Sequence, residues 1–184
     1  MLVEIINKIR YNLKADRLGP DMPFTGWRLH FKSTMIKLCN RKFAKFDSGA
    51  EFRYGAYAVG CSKIKIGKRV IIRPNTMLFG ETNDLMDISI IIEDDVMLGS
   101  GVQIYVNNHR FDSMDIPLID QGYYPDKAVT LKKGCWIGAN SIILPGVTIG
   151  KNTVIGAGAV VTRSFADGVV AVGNPAKVIK VISR

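Results

Sequence analysis

The chain has 184 residues, 47% hydrophobic and 22% charged, enough apolar material for one globular domain and too much for a disordered chain. Lys and Arg number 25 against 16 Asp and Glu, a net charge of +9, which favours an anionic partner such as nucleic acid, a membrane surface or a phosphorylated small molecule. No apolar run approaches the roughly 18 residues of a membrane-spanning helix. The opening MLVEIINKIR lacks the cleavage pattern of a secretory signal. Cys39, Cys61 and Cys135 are odd in number and lack metal-ligand spacing, so a cytoplasmic protein with free thiols is expected.

Residues 1–45 read as a segment of their own. They hold ten Lys and Arg against three Asp and Glu, a net +7 that leaves only +2 on the other 139 residues. Leu2, Ile5, Ile6, Ile9 and Leu13 share one helical face, and Phe31, Met35, Leu38 and Cys39 repeat that spacing. Gly19, Pro20 and Pro23 stand between them, which predicts two short helices joined by a turn. Such helices ordinarily pack on the remaining protein with their basic faces in water. The concentration of charge also suggests peripheral contact between residues 1–45 and the inner face of an anionic membrane.

From residue 46 a six-residue repeat dominates. An aliphatic residue leads each hexad at 131, 137, 143, 149, 155 and 161, and upstream at 66, 72, 78, 92, 98 and 104, with a weaker set at Phe46, Phe52 and Ala58. The fifth position is small or β-branched in Val70, Thr76, Val96, Ser141, Val147, Thr153 and Ala159. A 3.6-residue period drifts out of phase with such a repeat, and Gly, Asn and Val are poor helix formers. Short strands, each burying its leader only against the next coil, satisfy it. The prediction is an all-β domain over 46–184, a parallel β-helix of about five coils. Two interruptions break the phase: two extra residues near NDLMDISI, and the excursion 110–130 between His109 and Leu131. Long loops on a rigid solenoid are where function concentrates.

The run KGCWIGANSIILPGVTIGKNTVIGAGAVVTRSFADGVVAVGNPAKVIK, with a histidine at the mouth of a loop, resembles the hexapeptide-repeat acyltransferases. It is most similar to the galactoside and maltose O-acetyltransferases and those of bacterial surface-polysaccharide synthesis. The resemblance implies a left-handed helix, a homotrimer with sites between subunits, and acetyl-CoA as co-substrate. It implies His109 as the catalytic residue. Trp136, Ala139 and Ala157 fall where the pantetheine arm lies, and Thr162, Arg163, Lys177 and Lys180 near the adenosine and phosphates. Asn83 and Asp84 fall in the region facing the acceptor, with Asn108 beside the histidine. Lysine in place of arginine keeps the charge but loses bidentate geometry.

Acetyl transfer to a hydroxyl needs a base for the alcohol proton, which histidine supplies near neutral pH. Only His30 and His109 exist. His30 lies outside the repeats and reads as a surface or structural residue, whereas no hydrophobic stripe explains His109. Asp112, Asp115, Asn108 or a backbone carbonyl are candidates to orient it. Cys135 occupies a fifth hexad position and reads as a buried thiol. Phe111, Tyr123, Tyr124 and Pro125 have two readings, an acceptor wall or a trimer contact. Two histidines, one remote, do not make a metal triad, so no metal is expected. The repeats lack a basic stripe interleaved with aromatics, which argues against nucleic acid. The expected activity is O-acetylation of a sugar or saccharide in surface-polysaccharide biosynthesis. The alternatives are N-acetylation of an amino sugar or antibiotic and, in another class, a non-catalytic β-helix assembly module.

Overall fold

The computed structural model describes every residue except Pro23, Asp84 and Arg184, with Leu13 described by its backbone alone. From residue 45 onward, short strands fall into three parallel ladders. The first stacks Lys45–Phe46, Ile64–Ile66, Ile90–Ile92, Val129–Leu131 and Thr148–Ile149. The second stacks Glu51–Phe52, Ile71–Ile72, Met97–Leu98, Trp136–Ile137, Val154–Ile155 and Val169–Val172. The third stacks Tyr57–Val59, Met77–Phe79, Gln103–Tyr105, Ile142–Ile143 and Val160–Val161. The chain visits the ladders in rotation, which is the β-solenoid that a hexad repeat requires.

Every hexad leader from Phe46 to Val161 is at most 8% exposed. Leaders stack on leaders, as in Ile66 on Ile92 on Leu131 on Ile149. The seven small fifth-position residues are at most 1% exposed, and the hydroxyls among them are satisfied. Thr76 Oγ1 donates to the Gly99 carbonyl at 3.0 Å, and Thr153 Oγ1 to that of Ala166 at 2.7 Å. At the regular corners the fourth position turns the chain in the left-handed region. There Gly49, Gly55, Gly101, Gly134, Gly146 and Gly158 alternate with Asn75, Asp95, Asn140, Asn152 and Arg69, all at positive φ. Glycine, Asn and Asp tolerate that conformation. Arg69 is the exception, and its Nε donates to Asp95 Oδ1 of the next coil at 2.6 Å.

All the phase slips lie at one corner, where the chain leaves the third ladder for the first. Between Ile143 and Thr148 that corner takes four residues, whereas residues 80–89 and 106–128 fill it in the middle of the stack. Residues 60–63 hold an additional slip that the repeat count missed, since Ala58 and Ile66 are eight apart, and a 3₁₀ turn at Cys61–Lys63 takes up the difference. The largest insertion departs from the expected bounds 110–130. Val129 already pairs with Ile90, so regular structure resumes two residues before Leu131. Its root extends back to Val106, whose carbonyl accepts the Lys127 N–H at 2.8 Å.

The N-terminal segment forms three helices where two were expected: α1 (Leu2–Lys14), α2 (Thr25–His30) and α3 (Lys32–Lys42). Phe31, extended at φ −98°, separates the last two. A short strand, Arg17–Leu18, also adds antiparallel to Tyr57–Val59. Met35, Leu38 and Cys39 of α3 are buried, and Phe43 stacks on Phe46 and tilts against Phe52, so α3 closes the open end of the solenoid. The apolar face of α1 is not covered in the protomer: Leu2 is 71% exposed and Ile5 48%. The C-terminal strand Lys177–Val181 lies antiparallel on Val169–Val172.

All three cysteines are buried and unpaired with one another. Burial pushes the Cys39 and Cys135 thiols up to about 12 and raises Cys61 as well. Unfolded, these thiols ionise near pH ~8.5. Their contribution to stability is therefore complete below that pH and is lost as pH rises toward the folded value. A thiol reagent is expected to label none of them in the native protein and all of them after unfolding, with the denaturation midpoint falling as pH climbs above about 8.5.

Candidate active site

His109 sits at the root of the 106–128 insertion. Its backbone forms an isolated antiparallel bridge with Tyr123, flanked by Arg110 N–H to Gly122 O and Tyr124 N–H to Asn108 O, both 2.9 Å. The two rings face each other at 4.1 Å between centroids and 32°. The imidazole is solvent-facing, and among the described residues no hydrogen bond holds either ring nitrogen. Of the candidate orienting groups, the Asp112 carboxylate is engaged elsewhere. Asp112 accepts from Tyr124 Oη and, at 3.1 Å, from Arg110 Nε. The Tyr124 hydroxyl, then Arg110, hold the Asp112 carboxyl below its ordinary range, and Tyr124 is raised in turn by Asp112. The Asp115 N–H bonds to Ser113 Oγ, and the Asn108 carbonyl is taken by Tyr124. Tyr123, rather than a carboxylate, is what touches the histidine.

Beside this root runs an aromatic column absent from the sequence reading. Tyr105 stacks on Phe79 at 4.8 Å and 8°, and Phe79 meets Tyr57 at 6.0 Å. A signal for it existed, because Phe79 and Tyr105 each follow the leader of their hexad and so share one ladder position. Glu81 is a second omission. It is fully buried, its Oε2 has no partner, and its Oε1 accepts the Asn83 N–H. The polar run GETND in place of a hexad was its trace. Asn83 is exposed on the 80–89 insertion at the same corner as His109; Asp84 lies outside the described residues.

The remaining predicted residues gather elsewhere. Ala139 and Ala157 occupy successive turns at the opposite corner, between the second and third ladders, where the Gly158 N–H donates to the Ala139 carbonyl at 2.8 Å. Backbone packs tightly there: a Cβ on Gly138 would lie 2.4 Å from the Ala157 nitrogen. Trp136 is 49% exposed on the outer face of the second ladder, against a cleft of about 190 Å³ shared with Arg73, Met97 and Gly99. Thr162 and Arg163 are exposed just after Val160–Val161. Lys177 is close by, since the Ala176 N–H donates to the Val160 carbonyl at 2.8 Å, and Lys180 follows on the same exposed strand. Among the described residues no carboxylate pairs with Arg163, Lys177 or Lys180. Within the chain the third ladder thus separates His109 from Ala139 and Ala157. No group of three metal-ligating side chains exists among the described residues.

Residues 128–163 match the family model described as bacterial transferase hexapeptide (six repeats). The galactoside O-acetyltransferase of Lactococcus lactis is 40% identical over 149 residues, 80% of this chain and 68% of that protein. The chain belongs to the hexapeptide-repeat acetyltransferases. A solved maltose O-acetyltransferase from Clostridium difficile superposes with a TM-score of 0.72 at 29% identity, over 98% of this chain and 89% of that one. A galactoside acetyltransferase solved in complex with coenzyme A gives 0.70 at 26% identity, over 98% and 80%. Other members are longer: the chain spans about half the length, 47%, of a Schizosaccharomyces pombe putative acetyltransferase to which it is 42% identical over 54% of its own length. Family membership accounts for the burial of every hexad leader.

Proposed function

We propose that the protein is an acetyl-CoA-dependent O-acetyltransferase of a sugar or saccharide acceptor, serving surface-polysaccharide biosynthesis. In this reading it is a left-handed β-helix of about five coils, a basic segment 1–45 precedes the catalytic domain 46–184, and the insertion 106–128 is extruded. The observation that carries the proposal is the unengaged imidazole of His109 at the insertion corner of a chain similar to galactoside and maltose O-acetyltransferases. His109 takes the proton from the acceptor hydroxyl as its oxygen attacks the acetyl carbonyl. When the carbon–sulfur bond breaks, the imidazolium returns that proton to the departing sulfur, so the histidine ends unchanged. Acetyl-CoA supplies the activated acetyl group as a thioester.

The residues present fit that co-substrate. Ala139 and Ala157 leave backbone accessible to an extended arm, Trp136 offers an exposed ring face, and Arg163, Lys177 and Lys180 offer unpaired positive charge for phosphates. Because the third ladder stands between these residues and His109, we assign the complete site to two subunits of a homotrimer. Tyr57, Phe79 and Tyr105, with Asn83 and Asn108, line the side from which a saccharide would approach, the aromatic faces suiting the apolar face of a sugar ring. Incubation with acetyl-CoA and a panel of galactosides, maltosides, amino sugars and aminoglycosides, followed by thiol release and product mass, is expected to show O-acetylated saccharide. Acetylation confined to amines, or no thiol release with any acceptor, overturns the assignment.

A further inference from the structure

We propose that the N-terminal segment holds a binding site for a phosphate-bearing lipid, separate from the acetyl-transfer site and independent of that activity. A cavity of about 380 Å³ lies where α1, α2 and α3 meet the first coil. Lys14, Arg28, Arg41 and Lys42 line it, facing a single carboxylate, Asp16. That carboxylate is already committed to Ser62, accepting from its backbone nitrogen at 2.9 Å and its hydroxyl at 2.7 Å. Among the described residues none pairs with Lys14, Arg28 or Arg41. The C-termini of α1 and α3 also point here, each worth about half a negative charge. Lys42 is committed to the Ala15 carbonyl at the end of α1, so Lys14, Arg28 and Arg41 less Asp16 and the end of α3 leave about one and a half positive charges, the complement of one phosphate.

A second observation places a ligand group inside. Asn12 lines the cavity and is 2% exposed, yet its Nδ2 has no hydrogen-bond partner. Its Oδ1 is held by Arg17 at 3.3 Å, so the amide N–H groups are the ones left to donate. An unmade hydrogen bond of this kind is destabilising. A phosphate oxygen satisfies it.

The cavity opens onto a groove whose apolar floor is Ile5, Ile9 and Phe24, edged by Glu4 and Lys8, with Ile9 and Phe24 lining both; Glu4 is paired with the N-terminal ammonium. Phe24 holds its ring 74% exposed from a left-handed backbone, φ 61°. A bulky residue rarely adopts that conformation. Headgroup charge in the cavity and an acyl chain along the groove use both features at once, which a free phosphate does not. Leu2 and Ile6, exposed on the same helix, add apolar surface toward its N-terminus, where a chain would emerge into a bilayer.

The test is flotation of the full-length protein with vesicles of phosphatidylcholine, with and without phosphatidic acid. Binding is expected only to the phosphatidic acid vesicles, unaffected by excess inorganic phosphate. The double variant Arg28→Gln/Arg41→Gln should lose about tenfold or more of that binding. The charge-matched pair Lys68→Gln/Lys151→Gln, remote from the cavity, should retain it. Phe24→Ser, a change at an exposed position, is expected to weaken binding while keeping the native circular dichroism spectrum. Equal losses in both double variants would reduce the effect to diffuse charge. Displacement by inorganic phosphate, or unchanged binding by Phe24→Ser, would likewise overturn the lipid assignment.

Discussion

Replacing His109 with alanine should lower kcat/KM for acetyl transfer by about 10² to 10⁴, the range in which a positioned proton acceptor contributes. The fold should not notice. The side chain is solvent-facing, makes no hydrogen bond among the described residues, and packs against the Tyr123 ring. Coenzyme binding should survive too, because the proposed coenzyme residues lie across the third ladder at another corner. The measurement is a steady-state thiol-release assay beside thermal stabilisation by coenzyme A, for wild type and variant. Near-normal turnover in His109→Ala would remove the histidine from the reaction. Tyr123→Phe should keep most activity, since its ring face, rather than its hydroxyl, is what meets the imidazole.

Ile104→Ala should be the opposite kind of change, severe for folding and remote in chemistry. Ile104 is fully buried in the strand that leads into the His109 insertion, stacked between Leu78 and Ile143. A solenoid core cannot close over a missing side chain by shifting one element, because each coil is registered by hydrogen bonds to the coils on both sides. Removing the buried methyls without collapse costs about 2–5 kcal/mol. For a chain of this size that lowers the unfolding midpoint by on the order of 10 °C. Met114→Ala, on the same insertion but fully exposed, should change it by less than about 0.5 kcal/mol. A small shift for Ile104→Ala would mean that stability is not carried by the stacked leaders.

The repeat was legible because one rule, a leader that must be buried every six residues, is written into each coil. It located the inward residues from Phe46 to Val161 and the small fifth positions without any long-range information. The slip at 60–63 escaped because a two-residue insertion between a weak set and a strong one resembles a poor repeat. Only the stacked ladders show that it shares a corner with the other two. The open face of α1 escaped for a different reason. Helical spacing reports that Leu2, Ile5, Ile6 and Ile9 share a side, and says nothing about what lies against it.

For the site the division is similar. His109 stood out by chemistry, as a titratable group with no structural motive in a polar loop. Its neighbour Tyr123 and the engagement of Asp112 by Tyr124 and Arg110 were invisible, since they depend on how a 23-residue segment folds back on itself. By itself the sequence determined the solenoid and its core positions, because local periodicity sets them; His109 stood out by residue type, and Ala139 and Ala157 entered through the family resemblance alone. The tertiary structure decided which corner collects the insertions, that the third ladder stands between His109 and the corner of Ala139, and where the N-terminal charge gathers into a cavity. Those are matters of how separate coils and helices stack in space, and no local rule encodes them.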